Sequence, residues 1–212
     1  MVAIGEKMKK FYSEETSVAP ISCDSKDDNK LDSVSNKLYF YSGVDTASIF
    51  DFNRRLQEID QDNVVSAIAR QHLPTGGDYK LDPIYIYIQS YGGSVFAGLS
   101  AMDTILRCKS PVYTIIDGCA ASAATFLSVV GKKRFITQHS FALIHQLSSK
   151  SWGTYSEMKD DMENNDKLMS IISDIYLKYT KINKKDIKDI LSHDLWMSAK
   201  ECEKMGLIDE II

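Results

Sequence analysis

Apolar and polar positions fall into blocks along most of the chain, and the blocks carry two different periods. "KLYFYSG" (37–43) reads as a strand ending at Gly43, and "TASIFDFNRRLQEI" (46–59) places Ile49, Phe50, Phe52, Leu56 and Ile59 mostly on one helical face. "QHLPTGGD" (71–78) is a loop by its proline and glycine pair. "PIYIYI" (83–88), β-branched and aromatic, has the pattern of a buried strand. A helix over 94–107 and a strand over 111–117 follow, and the small-residue stretch from Ala120 to about Val130 reads as another helix. "KRFIT" and "FALIHQ" suggest two short strands around a turn. Thr154 and Glu157 have capping-box spacing and open a long helix, whose face carries Met158, Met162, Leu168, Met169, Ile172, Ile175, Tyr176 and Tyr179. Ser198 and Glu201 cap a last short helix, Gly206 stops it, and "LIDEII" closes the chain as a strand. Strand–helix alternation of this kind means an α/β fold with crossover connections.

The first 36 or so residues differ. "SCDSKDDNKLDSVSN" is highly charged with few apolar anchors, so residues 1–36 are expected to form a flexible N-terminal arm and residues 37–212 the folded domain. A length of 212 residues most simply makes one such domain. A net charge of −4 gives no basic field for nucleic acid. No apolar run approaches the roughly 20 residues that span a bilayer, and the N-terminus carries charge where a signal peptide is apolar. Cys23, Cys108, Cys119 and Cys202 lie far apart without CxxC spacing, which fits reduced thiols in a cytoplasmic protein and neither a zinc site nor a disulfide framework. No metal or other cofactor is expected.

Three places could carry chemistry. "QSYGGSVFAG" (89–98) sets a glycine pair between a buried strand and a helix, where the backbone can approach a ligand and aim amides at it. It lacks the GxGxxG of dinucleotide binding, and a glycine pair by itself usually marks only a turn. Ser122, in "DGCAASAATF" (117–126), sits at a strand-to-helix transition that could present its hydroxyl; equally, the alanines around it suit close backbone packing. Cys119, three residues earlier, could itself be a nucleophile, although a small buried residue is the simpler reading. His145 alone among four histidines follows an apolar run able to hold an imidazole rigidly; it could also be a satisfied core histidine or a strand-end surface residue. A serine nucleophile needs a base at hydrogen-bond distance and a carboxylate to orient that base, and Asp194 in "SHDLWMSA" offers one.

Taken together, "YIYIQSYGGSVFAGLSAMDTI", "GCAASAATFL", "KRF", "FALIHQ" and "DLWMSAKECEKMGLIDEI" resemble the successive signatures of the Clp protease proteolytic subunit family, in that family's order and across roughly residues 37–212. Separations of 23 residues from Ser122 to His145 and 49 from His145 to Asp194 fit the resemblance. It implies Ser122 as nucleophile, His145 as general base and Asp194 as its orienting carboxylate, with an oxyanion hole from the backbone N–H groups of Gly93 and Ala123. The implied fold is the ClpP/crotonase-like spiral of ββα units with a protruding long helix. The implied assembly is two heptameric rings of identical subunits enclosing the active sites, fed with unfolded polypeptide by an AAA+ Clp unfoldase that docks on a surface pocket including Tyr85 and Tyr87.

Some positions depart from the family pattern. Tyr91 replaces the proline of SPGG, Leu147 the proline after "HQ", and "SSKSWG" the glycines that follow; all lie where an extended substrate would pair with main chain. His193 and Phe141 stand where the family has arginines that couple the rings, and Arg107 stands where the docking pocket has an aromatic residue. Three other functions share parts of this pattern: a crotonase-type acyl-CoA enzyme, an inactive ring subunit, and a processing peptidase that works without an ATPase.

Overall fold

The computed structural model describes residues 36–72 and 79–212. Its frame is a mostly parallel sheet of β1 (Lys37–Phe40), β2 (Ile84–Ser90), β3 (Val112–Ala121), β4 (Lys133–Ile136), β5 (Phe141–Leu143), β6 (Met197–Ser198) and β7 (Glu210–Ile211). The helices are α1 (Thr46–Gln71), α2 (Val95–Arg107), α3 (Ala124–Val129), α4 (Tyr155–Tyr179), α5 (Ile187–Leu191) and α6 (Ala199–Met205). Strands run in the order β1-β2-β3-β4-β7, β5 pairs with β3, and only the short β6 is antiparallel, against β5. This is the α/β architecture expected for the ClpP/crotonase-like fold. Among the described residues no helix is long and apolar enough to cross a membrane.

The sheet forms here because β2 alternates cleanly. Ile84, Ile86 and Ile88 are wholly buried, each contributing about 2 kcal/mol of apolar transfer, while Tyr85 and Tyr87 point to the other face. Ala97, Ala101, Met102 and Ile105 of α2 join the same core, with Phe40, Phe52 and Leu56. α1 starts at Asp45, which exchanges capping-box bonds with Ser48, and runs twelve residues beyond the predicted end at Ile59. Of its predicted apolar face, Ile49, Phe52 and Leu56 are buried but Phe50 is exposed. The expected arm, apart from Asn36, and residues 73–78 of the expected loop lie outside the described residues.

One expectation needs correction at β3. The strand does not stop at Asp117; it continues through Gly118, Cys119, Ala120 and Ala121, so the helix begins only at Ala124. Buried small residues here have strand partners on both sides: Ala120 pairs with Ser90 of β2 and with Ala142 of β5. β4 and β5 are the two short strands expected around a turn, but they do not pair with each other. Both pair in parallel with β3, β4 along Tyr113–Ile116 and β5 along Cys119–Ala121. A turn at residues 137–140, with Ser140 N–H donating to Thr137 C=O at 3.0 Å, puts the chain back on its course beside the second half of β3.

Arg134 on β4 fastens the C-terminal region. Its guanidinium donates to the carbonyls of Tyr179 at 2.5 Å and Gly206 at 2.8 Å, and forms a two-point pair with Asp209. Burial alone would raise the Asp209 pKa, but the hydrogen bonds and charge of Arg134 outweigh it and hold the carboxyl below its ordinary value. Replacing Arg134 with Met should lower unfolding free energy by about 2 kcal/mol at neutral pH. Because the Asp209 pKa is depressed on folding, the pair's contribution is present above the unfolded carboxylate value, about 3.9, and is lost as pH falls further. The gap between the denaturant melts of the two proteins should therefore narrow in acid, to the part owed to the Tyr179 and Gly206 carbonyls.

Candidate active site

A cleft of about 330 Å³ opens between the N-terminal end of α2, the turn before α3, the segment after β5 and the middle of α4, lined by Gly93, Ser122, His145, Leu147, Leu168 and Tyr176 among others. Ser122 and His145, 23 residues apart, therefore share one cavity. The connection is main chain: Ser122 N–H donates to the carbonyl of Leu143, the last residue of β5, at 2.8 Å, and His145 follows two residues on. Ser122 occupies a sharp turn between β3 and α3, with φ +55, a left-handed conformation that is uncommon for a side-chain-bearing residue. It is the only non-glycine residue with positive φ among those described. Such strain persists only where the surroundings over-determine it, and it clusters at functional sites.

Asp194 reaches the same place from the far side. Gln146 N–H donates to Leu191 C=O at 2.7 Å, tying the residue after His145 to the end of α5. Three residues on, Asp194 Oδ1 lies 3.1 Å from His145 Nδ1. At this distance the carboxylate favours the tautomer with the proton on Nδ1, which would leave Nε2 to accept. The His145 side chain is 24% exposed and that of Asp194 is 78% exposed, so solvent screens their electrostatic attraction and the contact acts mainly through geometry. The Tyr91 ring stands edge-on to Trp196 at 6.2 Å, bracing the segment that carries Asp194 against the glycine pair.

Gly92 and Gly93 bring the third element in. Gly92 has φ +89, and a Cβ there would lie 2.5 Å from the Ala121 carbonyl and 2.7 Å from Ser122 Cβ; at Gly93, with φ +148, it would lie 2.3 Å from the Val44 carbonyl. Only glycine lets this backbone pass so close to Ser122. Val44 holds the pair in place, donating to Gly92 C=O at 2.9 Å and accepting from Ser94 N–H at 2.7 Å. Among the described residues neither the Gly93 nor the Ala123 amide has a hydrogen-bond partner; Gly93 lines the cleft, and Ala123, next to Ser122, is buried beside it. Cys119 lies on β3, its thiol pKa raised chiefly by burial, and it does not line this cleft. Tyr85 and Tyr87 lie elsewhere, on the outer face of β2, where Tyr87 stacks on Tyr39 and Tyr85 meets Tyr113 edge-on.

A feature that sequence reasoning missed forms the outer wall. Past His145 the chain runs extended along α4, attached at alternate residues. Leu147 N–H approaches Met169 Sδ at 3.1 Å, Asn165 Nδ2 donates to Ser149 Oγ at 2.9 Å, and Ser151 Oγ donates to Asp161 Oδ2 at 2.5 Å. Two residues of extended chain and four of helix advance by nearly the same length, about 6–7 Å, which is why the attachments stay in step.

The chain matches the Clp protease family over residues 53–212. The chain belongs to that family. A curated relative, the ATP-dependent Clp protease proteolytic subunit of Streptococcus mutans, is 39% identical over 160 residues, covering 72% of this chain and 80% of the relative. Membership of the Clp protease family makes the chain a serine-type endopeptidase.

Two outcomes follow from this geometry. Gly92→Ala should lower peptide hydrolysis by about 10²-fold or more in kcat/KM, the scale of a lost oxyanion donor, while circular dichroism stays unchanged. Asn165→Ala should speed amide exchange across residues 147–151 several-fold, read by mass spectrometry, with exchange in β2 and β3 unaltered.

Proposed function

We propose that residues 37–212 form the peptidase domain of a compartmentalised ring protease that cleaves unfolded polypeptides through Ser122, His145 and Asp194. The observation that carries this reading is the 3.1 Å contact of Asp194 with His145 Nδ1, which turns the other imidazole nitrogen into a base within the cleft that holds Ser122. His145 takes the Ser122 proton as the hydroxyl oxygen attacks the peptide carbonyl. The Gly93 and Ala123 amides receive the charge that develops on the carbonyl oxygen. His145 then protonates the departing amine, and water attacks the acyl-enzyme by the reverse route. Ala123 stands where the family usually has methionine, and because the donors are main chain the substitution leaves the hole's chemistry untouched.

Assembly has support of its own. Trp152, Tyr155, Met158 and Met162, before and along the first half of α4, are exposed, Trp152 completely, whereas Ile172, Ile175 and Tyr176 anchor the second half in the core. An apolar surface on a projecting helix suits the meeting of two heptameric rings, which would close a chamber around the cleft. The aromatic face of β1, β2 and β3, including Tyr85 and Tyr87, suits the docking of a AAA+ Clp unfoldase.

The deciding experiment labels the protein with a fluorophosphonate under native conditions. Wild type should label on a particle of many subunits, and Ser122→Ala should lose both label and peptide hydrolysis. Label retained in Ser122→Ala would overturn the assignment.

A further inference from the structure

The candidate oxyanion donor of Ala123 belongs to a peptide group whose other end is the Ser122 carbonyl. A peptide group is planar and rigid, so whatever holds the carbonyl also aims the N–H on its opposite side. That carbonyl accepts two hydrogen bonds from Thr125, one from its N–H at 2.9 Å and one from its Oγ1 at 2.6 Å. A threonine hydroxyl near a helix start often bonds back to such a carbonyl, so this much is local. What lies beyond it is not local. The Tyr176 hydroxyl, 51 residues on and from the core-facing side of α4, stands 2.7 Å from Thr125 Oγ1. Tyr176 is 1% exposed, and burial pushes its phenol well above the ordinary value, so it keeps its proton. The threonine hydroxyl has one proton, already committed to the carbonyl, and Tyr176 must therefore be the donor to Thr125. The bonds run in one direction, from Tyr176 through Thr125 to the Ser122 carbonyl.

We infer that Tyr176 and Thr125 are positioning residues of the oxyanion hole, fixing and polarising the Ser122–Ala123 peptide so that the Ala123 N–H is aimed at the developing charge. The inference rests on the reading of Ser122 and Ala123 given above. Two effects act together. Anchoring the carbonyl removes rocking of the peptide plane, which at Ser122 would otherwise relax the φ +55 turn. In-line hydrogen bonds also polarise one another, by roughly 10–30% per bond, and the Ser122–Ala123 amide is the last member of the series. Neither effect touches substrate binding, so the signature is a change in kcat with KM preserved. A pair that merely fills the core would lower stability and leave turnover per active site alone.

The test compares Tyr176→Phe, Thr125→Val, Thr125→Ser and the double variant Tyr176→Phe with Thr125→Val as full-length proteins. Active sites are counted by fluorophosphonate labelling, and kcat, KM and the affinity of a peptide aldehyde are measured per labelled site. Tyr176→Phe should lower kcat about 3–10-fold with KM within twofold, and Thr125→Val about 10–30-fold, both less than the 10²–10³ of a deleted donor. Thr125→Ser, which keeps the hydroxyl, should be near wild type. The double variant should be no worse than Thr125→Val, because the two act in series. Aldehyde affinity should fall by the same factor as kcat/KM. Wild-type kcat per labelled site in Tyr176→Phe, a loss confined to KM, or a Thr125→Ser protein as poor as Thr125→Val would overturn the inference. If Thr125→Val fails to fold, Tyr176→Phe and Thr125→Ser decide alone. Failure of the underlying reading is separately visible, since Ser122→Ala would then still label.

Discussion

The bond from Ser122 N–H to Leu143 C=O is the link on which the cleft depends. It joins the turn after β3 to the end of β5, so that the residues leaving each strand emerge side by side. Everything else converges on that seam: the glycine pair held by Val44 from one side, α5 with Asp194 from the other, and α4 across the top. A long β3 makes the seam possible, because its first half is paired with β4 and its second half is left for β5.

The seam also explains the composition that surrounds Ser122. Close packing and exposure of a hydroxyl are not competing explanations for "AASAA". Ala120 is squeezed between β2 and β5, Ala121 pairs with Leu143 of β5, and Ala123 is buried against α2. Larger side chains at these positions would push the flanking segments apart, and the glycine pair would no longer lie against the Ser122 turn. Close approach, in this fold, is what creates a polar site from largely apolar walls.

Much of this was legible in the sequence. The β2 run, α2, the Thr154–Glu157 and Ser198–Glu201 caps and the Gly206 stop each follow from local chemistry, and the structure has them where expected. The extension of β3 through Gly118 and the alanines was not, because strand formation there comes from neighbours on both sides and not from β propensity. α5 was missed because five residues, "IKDIL", carry too little periodicity to be read. Ser122, His145 and Asp194 could be picked out as candidates, but their convergence rests on bonds from Leu143 and Leu191 carbonyls that no spacing displays. The Tyr176–Thr125 contact was hidden for the same reason: Tyr176 reads simply as one member of an apolar helical stripe.

α4 has the mechanics of a lever. At 1.5 Å per residue its 25 residues extend about 37 Å, and the packed residues from Ile172 to Tyr176 act as its fulcrum. A tilt of about 5° about that point would carry the Tyr155 end sideways by some 2–3 Å, given the length of the free arm. The hydroxyl of Tyr176, close to the pivot, would scarcely be displaced. Whatever seizes the far tip can thus swing the outer wall of the cleft while the chemistry at its base stays still.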